Sequence, residues 1–250
     1  MSTRPLVLLH GWGLTPRIWE PVRQALPAAL EIHAPALPGH GENATAAGPT
    51  LDAWADAVLP RLPDGAVLCG WSLGGLIALD LARRYPVKVA RLILIGTSPC
   101  FVSRPGTDAP WPHGLDAATV GGFVESFAGD PAATLRRFVA LQALGDQRRR
   151  AVAAQLNAAL ADAGGAGGPA LAAGLQLLAD ADLRPSLHAI PQPADLLHGA
   201  GDALIPIAAA EWLAAQLPTA RLTRFDDCGH APFLSQPAEC AALIRSIVLD

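Results

Sequence analysis

The sequence carries no excess of positive charge: 18 Lys plus Arg stand against 22 Asp plus Glu, a formal net charge of −4. With an isoelectric point near 5.9, it lacks the electrostatic footprint of a nucleic-acid or anionic-membrane binder, so the expected partners are small molecules and proteins. Long apolar runs are also missing. The opening MSTRPLVLLHGWG holds a short apolar run after Arg4 before His10 and Gly11 interrupt it. That run is too short for a signal peptide or a spanning helix, and a cytoplasmic protein is expected. The four cysteines, Cys69, Cys100, Cys228 and Cys240, show no Cys-x-x-Cys or metal-type spacing. This argues against a disulfide framework and a metal site and leaves four free, buried thiols. No internal repeat is visible.

What the sequence does have is apolar content, 51% over 250 residues, enough for one domain with a sizeable core. Continuous apolar runs recur at 5–9, 31–36, 66–70, 91–96, 194–199 and 221–225. Runs without alternation are typical of strands buried on both faces, hence of a mostly parallel sheet covered by helices. Between them WEPVRQAL, LDAWADAVLPRL, GGLIALDLARRYP, AAAEWLAAQLP and AECAALIRSIVL carry helical spacing and end near Pro or Gly. The alternation predicts a doubly wound α/β domain. It breaks from 99 to 185, where helical patterns near 115–128, 131–145, 147–162 and 169–181 follow one another without a strand. Asp130-Pro131 is a good helix start, since Asp can cap and Pro suits the first turn. The expected organisation is therefore an α/β core formed by 1–98 and 186–250, with 99–185 as an all-helical lid. GGAGGPALAAG, 164–174, reads as a flexible joint between lid helices.

Gly70-Trp71-Ser72-Leu73-Gly74 is a Gly-x-Ser-x-Gly element directly after a strand pattern and directly before a helical one. A strand turning sharply into a helix strains the serine and pushes its hydroxyl out over the sheet, and flanking residues without a Cβ let strand and helix pass closely. Ser72 is then a candidate nucleophile, and the Leu73 N–H at the helix start a candidate oxyanion donor. By itself the pattern also arises by chance in a Gly-rich chain. A serine hydroxyl needs a base, and the base needs a group that holds its tautomer. Among seven histidines, His230 in DDCGHAPFLSQP follows the last strand, at the sheet edge that also presents Ser72. His10, in LLHGWG, more plausibly shapes a loop; His33 and His198 belong to strands, and His40, His113 and His188 to loops. Asp202 follows the penultimate strand at the same edge, with Asp226 and Asp227 as rivals close to His230. Asp202 is preferred because serine, acid and histidine then come in the chain order this architecture uses. The loop after the first strand, HGWG, offers the Trp12 N–H as second oxyanion donor, with its indole either lining an acyl pocket or simply packed.

With those residues in place, the sequence resembles the α/β-hydrolase superfamily over essentially its whole length. Within it the chain is similar to the biotin-pathway carboxylesterases that cleave the methyl ester of pimeloyl-acyl carrier protein. The resemblance is carried by LVLLHGWGL, GWSLGG, SPCF at 98–101, RFVALQALG at 137–145, GLQLLADADLR at 174–184 and HAPFLSQPAE. It implies a cofactor-free, metal-free serine esterase with Ser72, Asp202 and His230 as triad. It further implies substrate contacts from Trp12, Leu73, Phe138, Val139, Ala140, Leu141 and Gln142. Family members commonly begin with two further short strands, so the far edge of the sheet is expected to be trimmed here. Independently of the family, Arg136, Arg137, Arg148, Arg149 and Arg150 gather on two lid helices of an acidic chain. They form either a docking patch for an acidic acyl carrier protein or a solvated helical face. A monomer is expected. Other readings are an esterase or thioesterase with the same catalytic residues, or a non-catalytic acyl-binding protein on this fold. Halide-removing and epoxide-opening relatives carry aspartate where Ser72 stands.

Overall fold

Alternating strands and helices build one parallel sheet in the computed structural model, which describes residues 4–43, 47–106, 108–162 and 168–250. In chain order the elements are β1 (Leu6–Leu9), α1 (Glu20–Ala25), β2 (Ile32–His33), α2 (Leu51–Val58), β3 (Ala66–Trp71), α3 (Leu73–Arg84) and β4 (Val89–Ile95). Four helices follow without a strand, α4 (Ala117–Gly129), α5 (Pro131–Gln142), α6 (Arg149–Asp162) and α7 (Pro169–Asp180). The chain then returns through β5 (Ala194–Gly199), α8 (Ile207–Gln216), β6 (Ala220–Phe225), α9 (Pro232–Ser235) and α10 (Pro237–Leu249). The sheet order is β2-β1-β3-β4-β5-β6 with every neighbouring pair parallel. The order reverses between β1 and β3, the kind of point at which open α/β sheets bind ligands beyond their carboxyl ends.

Strand periodicity divides the core into two layers. Val7 and Leu9 of β1 face the layer built with α2, α3 and α8, and Leu6 and Leu8 face the layer built with α1 and α10. The interior strands β1, β3 and β5 are buried throughout, as continuous apolar runs predict. The edge strands depart from that expectation. Instead of the 31–36 run only Ile32 and His33 pair, because Pro35 brings no N–H to a ladder. At the other edge β6 is only partly buried.

The four-helix insertion is anchored at its base. Cys100 bridges Asp182, and the Leu183 N–H donates to the Pro99 carbonyl at 2.9 Å, so its two ends leave the sheet side by side. Asp116 and Asp130 cap α4 and α5 through their carboxylates, Asp130 accepting from the Ala133 N–H at 2.9 Å. Apolar residues of α4, α5 and α7, among them Phe123, Phe127, Phe138 and Leu171, join the layer that holds Trp12 and Leu73. Val152, Leu156 and Ala159 of α6 join the opposite layer with Trp19 and Leu234. Of the stretch read as a flexible joint, 169–174 is the start of α7, where Pro169 occupies the first turn, and 164–167 lie outside the described residues. Among the described residues no helix is long and apolar enough to cross a membrane.

Candidate active site

Ser72 sits in the turn between β3 and α3 with φ 55° and ψ −117°, and among the described residues it alone has a positive φ without being glycine. Such a conformation costs about 1–3 kcal/mol and persists only where the surroundings impose it. Here they do. A Cβ on Gly70 would lie 2.4 Å from the Gly74 carbonyl oxygen, and one on Gly74 would lie 2.3 Å from that of Leu9. Only glycines allow strand, turn and helix to approach so closely. The Ser72 N–H is held by the Ile95 carbonyl at 3.0 Å, and the residue keeps 8% of its surface.

Asp202 and His230, which the sequence separates by 28 positions, meet across the ends of β5 and β6: His230 Nδ1 lies 2.7 Å from Asp202 Oδ2. A carboxylate can only accept, so Nδ1 carries the proton and Nε2 presents its lone pair. Nε2 is buried and has no hydrogen-bond partner among the described residues. The other carboxylate oxygen, Oδ1, accepts the Leu204 and Ile205 N–H groups, both at 2.9 Å. Burial alone would push the Asp202 carboxyl up; the nearby His230, its hydrogen bond, His198 and the Ile205 N–H outweigh it and hold the group below the usual carboxylate range. His198, assigned from sequence to a strand with no role, lies 3.5 Å from Asp202 Oδ2 and 2.8 Å from the Ile205 carbonyl. Burial pulls its pKa down. The rivals are engaged elsewhere: exposed Asp226 pairs with Arg224, and exposed Asp227 accepts from Gln147.

His230 is also held from the serine's side. The Trp71 indole N–H donates to the His230 carbonyl at 2.9 Å, and the two rings lie 5.5 Å apart. Gly96, with φ 49°, follows β4, and a Cβ there would meet the His230 carbonyl oxygen at 2.8 Å and Nδ1 at 3.1 Å. The seat of the imidazole is therefore open only to glycine. Ser72, Asp202 and His230 thus stand at the ends of β3, β5 and β6, with no hydrogen bond between Ser72 Oγ and Nε2.

Neither candidate oxyanion donor is engaged among the described residues. The Leu73 N–H, first in α3, has no acceptor within its helix. The Trp12 N–H forms no hydrogen bond either, but its peptide unit is fixed: the Gly11 carbonyl oxygen lies 2.8 Å from His10 Nδ1. His10 Nε2 accepts from the Leu37 N–H at 3.0 Å, and His40 Nε2 accepts from the Gly13 N–H at 2.9 Å. Both rings are therefore neutral with the proton on Nδ1, and they stack edge-on at 5.1 Å. His10 shapes its loop as the sequence suggested, and His40 is its unanticipated partner. Burial, together with the neighbouring His40, lowers the His10 pKa to about 3, and burial lowers that of His40 to about 4.

That pair makes a prediction. The unfolded chain protonates these histidines below about pH 6.5 while the folded one does not, so stability is full above pH 6.5 and falls as pH drops toward about 4. Each histidine costs about 1.4 kcal/mol per pH unit in that window. Urea unfolding between pH 7 and pH 5 is expected to show this slope, to which buried His198 adds in the same direction, and His40→Asn to remove one histidine's share of it, about 1.4 kcal/mol per pH unit. An unchanged slope in the variant would mean the pair is not buried neutral.

Trp12 is also the floor of an aromatic cluster. Its indole N–H donates to the Leu171 carbonyl of α7 at 2.8 Å, and its ring meets Phe138 at 5.0 Å and Phe127 at 5.6 Å. The five residues Phe138 to Gln142, which family resemblance assigns to the substrate, do not share one face. Phe138 joins the Trp12 cluster, Leu141 packs on the same layer, and the Gln142 carbonyl accepts the His230 N–H at 3.3 Å. Val139 packs into the opposite core layer and Ala140 is exposed, as a helix that turns about 100° per residue directs them. All five arginines are exposed, Arg136 and Arg137 on α5 and Arg149 and Arg150 on α6. The Arg137 guanidinium also lies 5.4 Å from the centre of the Phe123 ring. Arg148 precedes α6, and its guanidinium binds the Ser235 carbonyl. Among the described residues no group of His, Cys, Asp and Glu is arranged to hold a metal ion.

A family model described as "Alpha/beta hydrolase family" matches residues 6–243. The chain is 66% identical over 249 residues to a pimeloyl-[acyl-carrier protein] methyl ester esterase of Aromatoleum aromaticum, covering 99% of both chains. It is 40% identical to a protein of the same name from Nitrosomonas europaea, over 94% of this chain and 91% of that one. Among solved structures, the esterase EaEST of Exiguobacterium antarcticum superimposes with a TM-score of 0.86 over 100% of this chain and 93% of its own, at 24% identity. That last likeness concerns the fold alone.

Proposed function

From the premise that the chain belongs to the alpha/beta hydrolase family, we propose that it is a serine carboxylesterase that cleaves the methyl ester of pimeloyl-acyl carrier protein. The products are methanol and the free carboxylate that biotin synthesis requires, with the acyl chain still on its carrier. One observation carries the catalytic part: a strained Ser72 at the sheet edge beside an Asp202–His230 pair whose Nε2 lone pair is unoccupied. The 66% identity to a methyl ester esterase supports the substrate.

In this reading His230 Nε2 takes the hydroxyl proton as Ser72 Oγ attacks the ester carbonyl, and Asp202 stabilises the imidazolium without accepting the proton. The carbonyl oxygen, now negative, is held by the Trp12 and Leu73 N–H groups. Collapse expels methoxide, which leaves as methanol with the proton from Nε2. Water, activated by the same nitrogen, then releases the carboxylate and restores Ser72. The aromatic cluster of Trp12, Phe127 and Phe138 receives the methylene chain, while α4, α5 and α7 serve as the lid that keeps it from water.

The acyl carrier protein is the partner this reading requires, and the exposed Arg136, Arg137, Arg149 and Arg150 are its docking patch. Replacing these four by alanine, with Arg148 kept for its bond to Ser235, is expected to lower kcat/KM for the carrier-bound methyl ester by about tenfold or more. Hydrolysis of a short free methyl ester is expected to stay within about twofold. Equal losses on both substrates would remove the patch from the account.

A further inference from the structure

The turn joining α5 to α6 contains a buried carboxylate that the mechanism does not use. Asp146 is 6% exposed. Its Oδ2 accepts the Gly229 N–H at 3.0 Å, while its Oδ1 accepts the Ser235 hydroxyl at 3.0 Å and the Arg148 N–H at 2.7 Å. Gly229 immediately precedes His230, and Ser235 ends α9 just beyond it, so one carboxylate grips both ends of the segment that carries the base. The rest of the turn adds to the grip. The Gln142 carbonyl accepts the His230 N–H, the Gln147 N–H donates to the Asp227 carbonyl at 3.0 Å, and the Arg148 guanidinium binds the Ser235 carbonyl. A buried carboxylate is costly unless its donors are all in place, so it fixes their positions more narrowly than packing does.

We propose that Asp146 is a positioning residue for His230, holding 229–235 so that Nδ1 stays on Asp202 and Nε2 faces Ser72. The inference rests on the reading of His230 as the base. It also ties the base to α5, the helix whose Phe138 meets Trp12. In Asp146→Ala the Gly229 N–H and the Ser235 hydroxyl lose their acceptor. A displacement of the imidazole on the order of 1 Å is worth about a hundredfold in rate, so kcat is expected to fall by about 10- to 100-fold. KM for a small ester is expected to stay within about twofold, because nothing that binds the acyl group has moved. Asp146→Asn keeps an oxygen for the Gly229 N–H and turns an amide toward the Ser235 oxygen, which can accept, but it sets that amide against the Arg148 N–H. It is expected to recover part of the rate, with kcat between those of Asp146→Ala and the parent.

The test uses the full chain with p-nitrophenyl acetate, counting competent sites by fluorophosphonate titration so that kcat refers to folded enzyme. The strongly downfield proton resonance of the His230 Nδ1–H···Asp202 bond is followed alongside. The proposal expects a lower kcat per titrated site, unchanged KM, a weakened or shifted resonance in Asp146→Ala, and partial rescue by Asp146→Asn. A kcat per titrated site within about twofold of the parent, with the resonance unmoved, would overturn it. If Asp146→Ala does not accumulate as folded protein, Ser235→Ala removes one arm of the grip, and the same readouts decide. His230→Ala is run in parallel: retention of activity there would break the reading of the base itself, whatever Asp146 does.

Discussion

Ser72→Ala is expected to lower hydrolysis by about a millionfold without unfolding the protein. The size follows from the proposed triad acting as a unit. Without Oγ, the remaining catalysis is what the Trp12 and Leu73 N–H groups and substrate binding supply to direct attack by water. Folding should be spared because the strain at φ 55° is held by the backbone contacts among Gly70, Gly74 and Leu9, which alanine leaves intact. Thermal unfolding and turnover measured on one preparation separate the two effects. Loss of activity in step with loss of folded protein would deny Ser72 a chemical role, and so would a variant within about tenfold of the parent.

Asp202→Asn is expected to cost about ten-thousandfold in kcat, whereas Asp226→Asn and Asp227→Asn change little. The reason lies in the two N–H groups, Leu204 and Ile205, that donate to Oδ1. An asparagine keeps its oxygen on that pair and must turn its NH2 toward His230 Nδ1. Two donors cannot face one another, so the imidazole moves its proton to Nε2, and the nitrogen that should accept from Ser72 becomes a donor. Asp226 and Asp227 are exposed and bonded to Arg224 and Gln147, so the same exchange there does not reach the imidazole. Comparable losses at Asp202 and Asp226 would refute this assignment of the acid.

What the sequence disclosed was mainly local or topological. The elbow is legible because Gly70, Ser72 and Gly74 lie within five residues and the constraint that needs them is local. Asp202 and His230 were found at a distance because a parallel sheet delivers the ends of its strands to one edge. The core strands were equally plain, being apolar on both faces, while the 31–36 run shrank to two residues at Pro35. Side-chain partnerships made by the tertiary fold left no such trace. Nothing in ALGDQRRR announces that Asp146 bonds to groups 83 and 89 residues away. His40 read as an ordinary loop histidine because its partners, Gly13 and His10, belong to another loop. Family resemblance assigns Phe138 to Gln142 to the substrate as a block, and the sequence does not show that the helix points these side chains in different directions. Phe138 therefore meets Trp12 while Ala140 meets solvent.

The most direct test is to incubate the protein with methyl-pimeloyl acyl carrier protein and follow the intact carrier by mass spectrometry. Rapid loss of the methyl group is expected with the thioester to the carrier preserved, and no loss with Ser72→Ala. A methyl ester that survives while short esters are hydrolysed, or cleavage at the thioester instead, would contradict it.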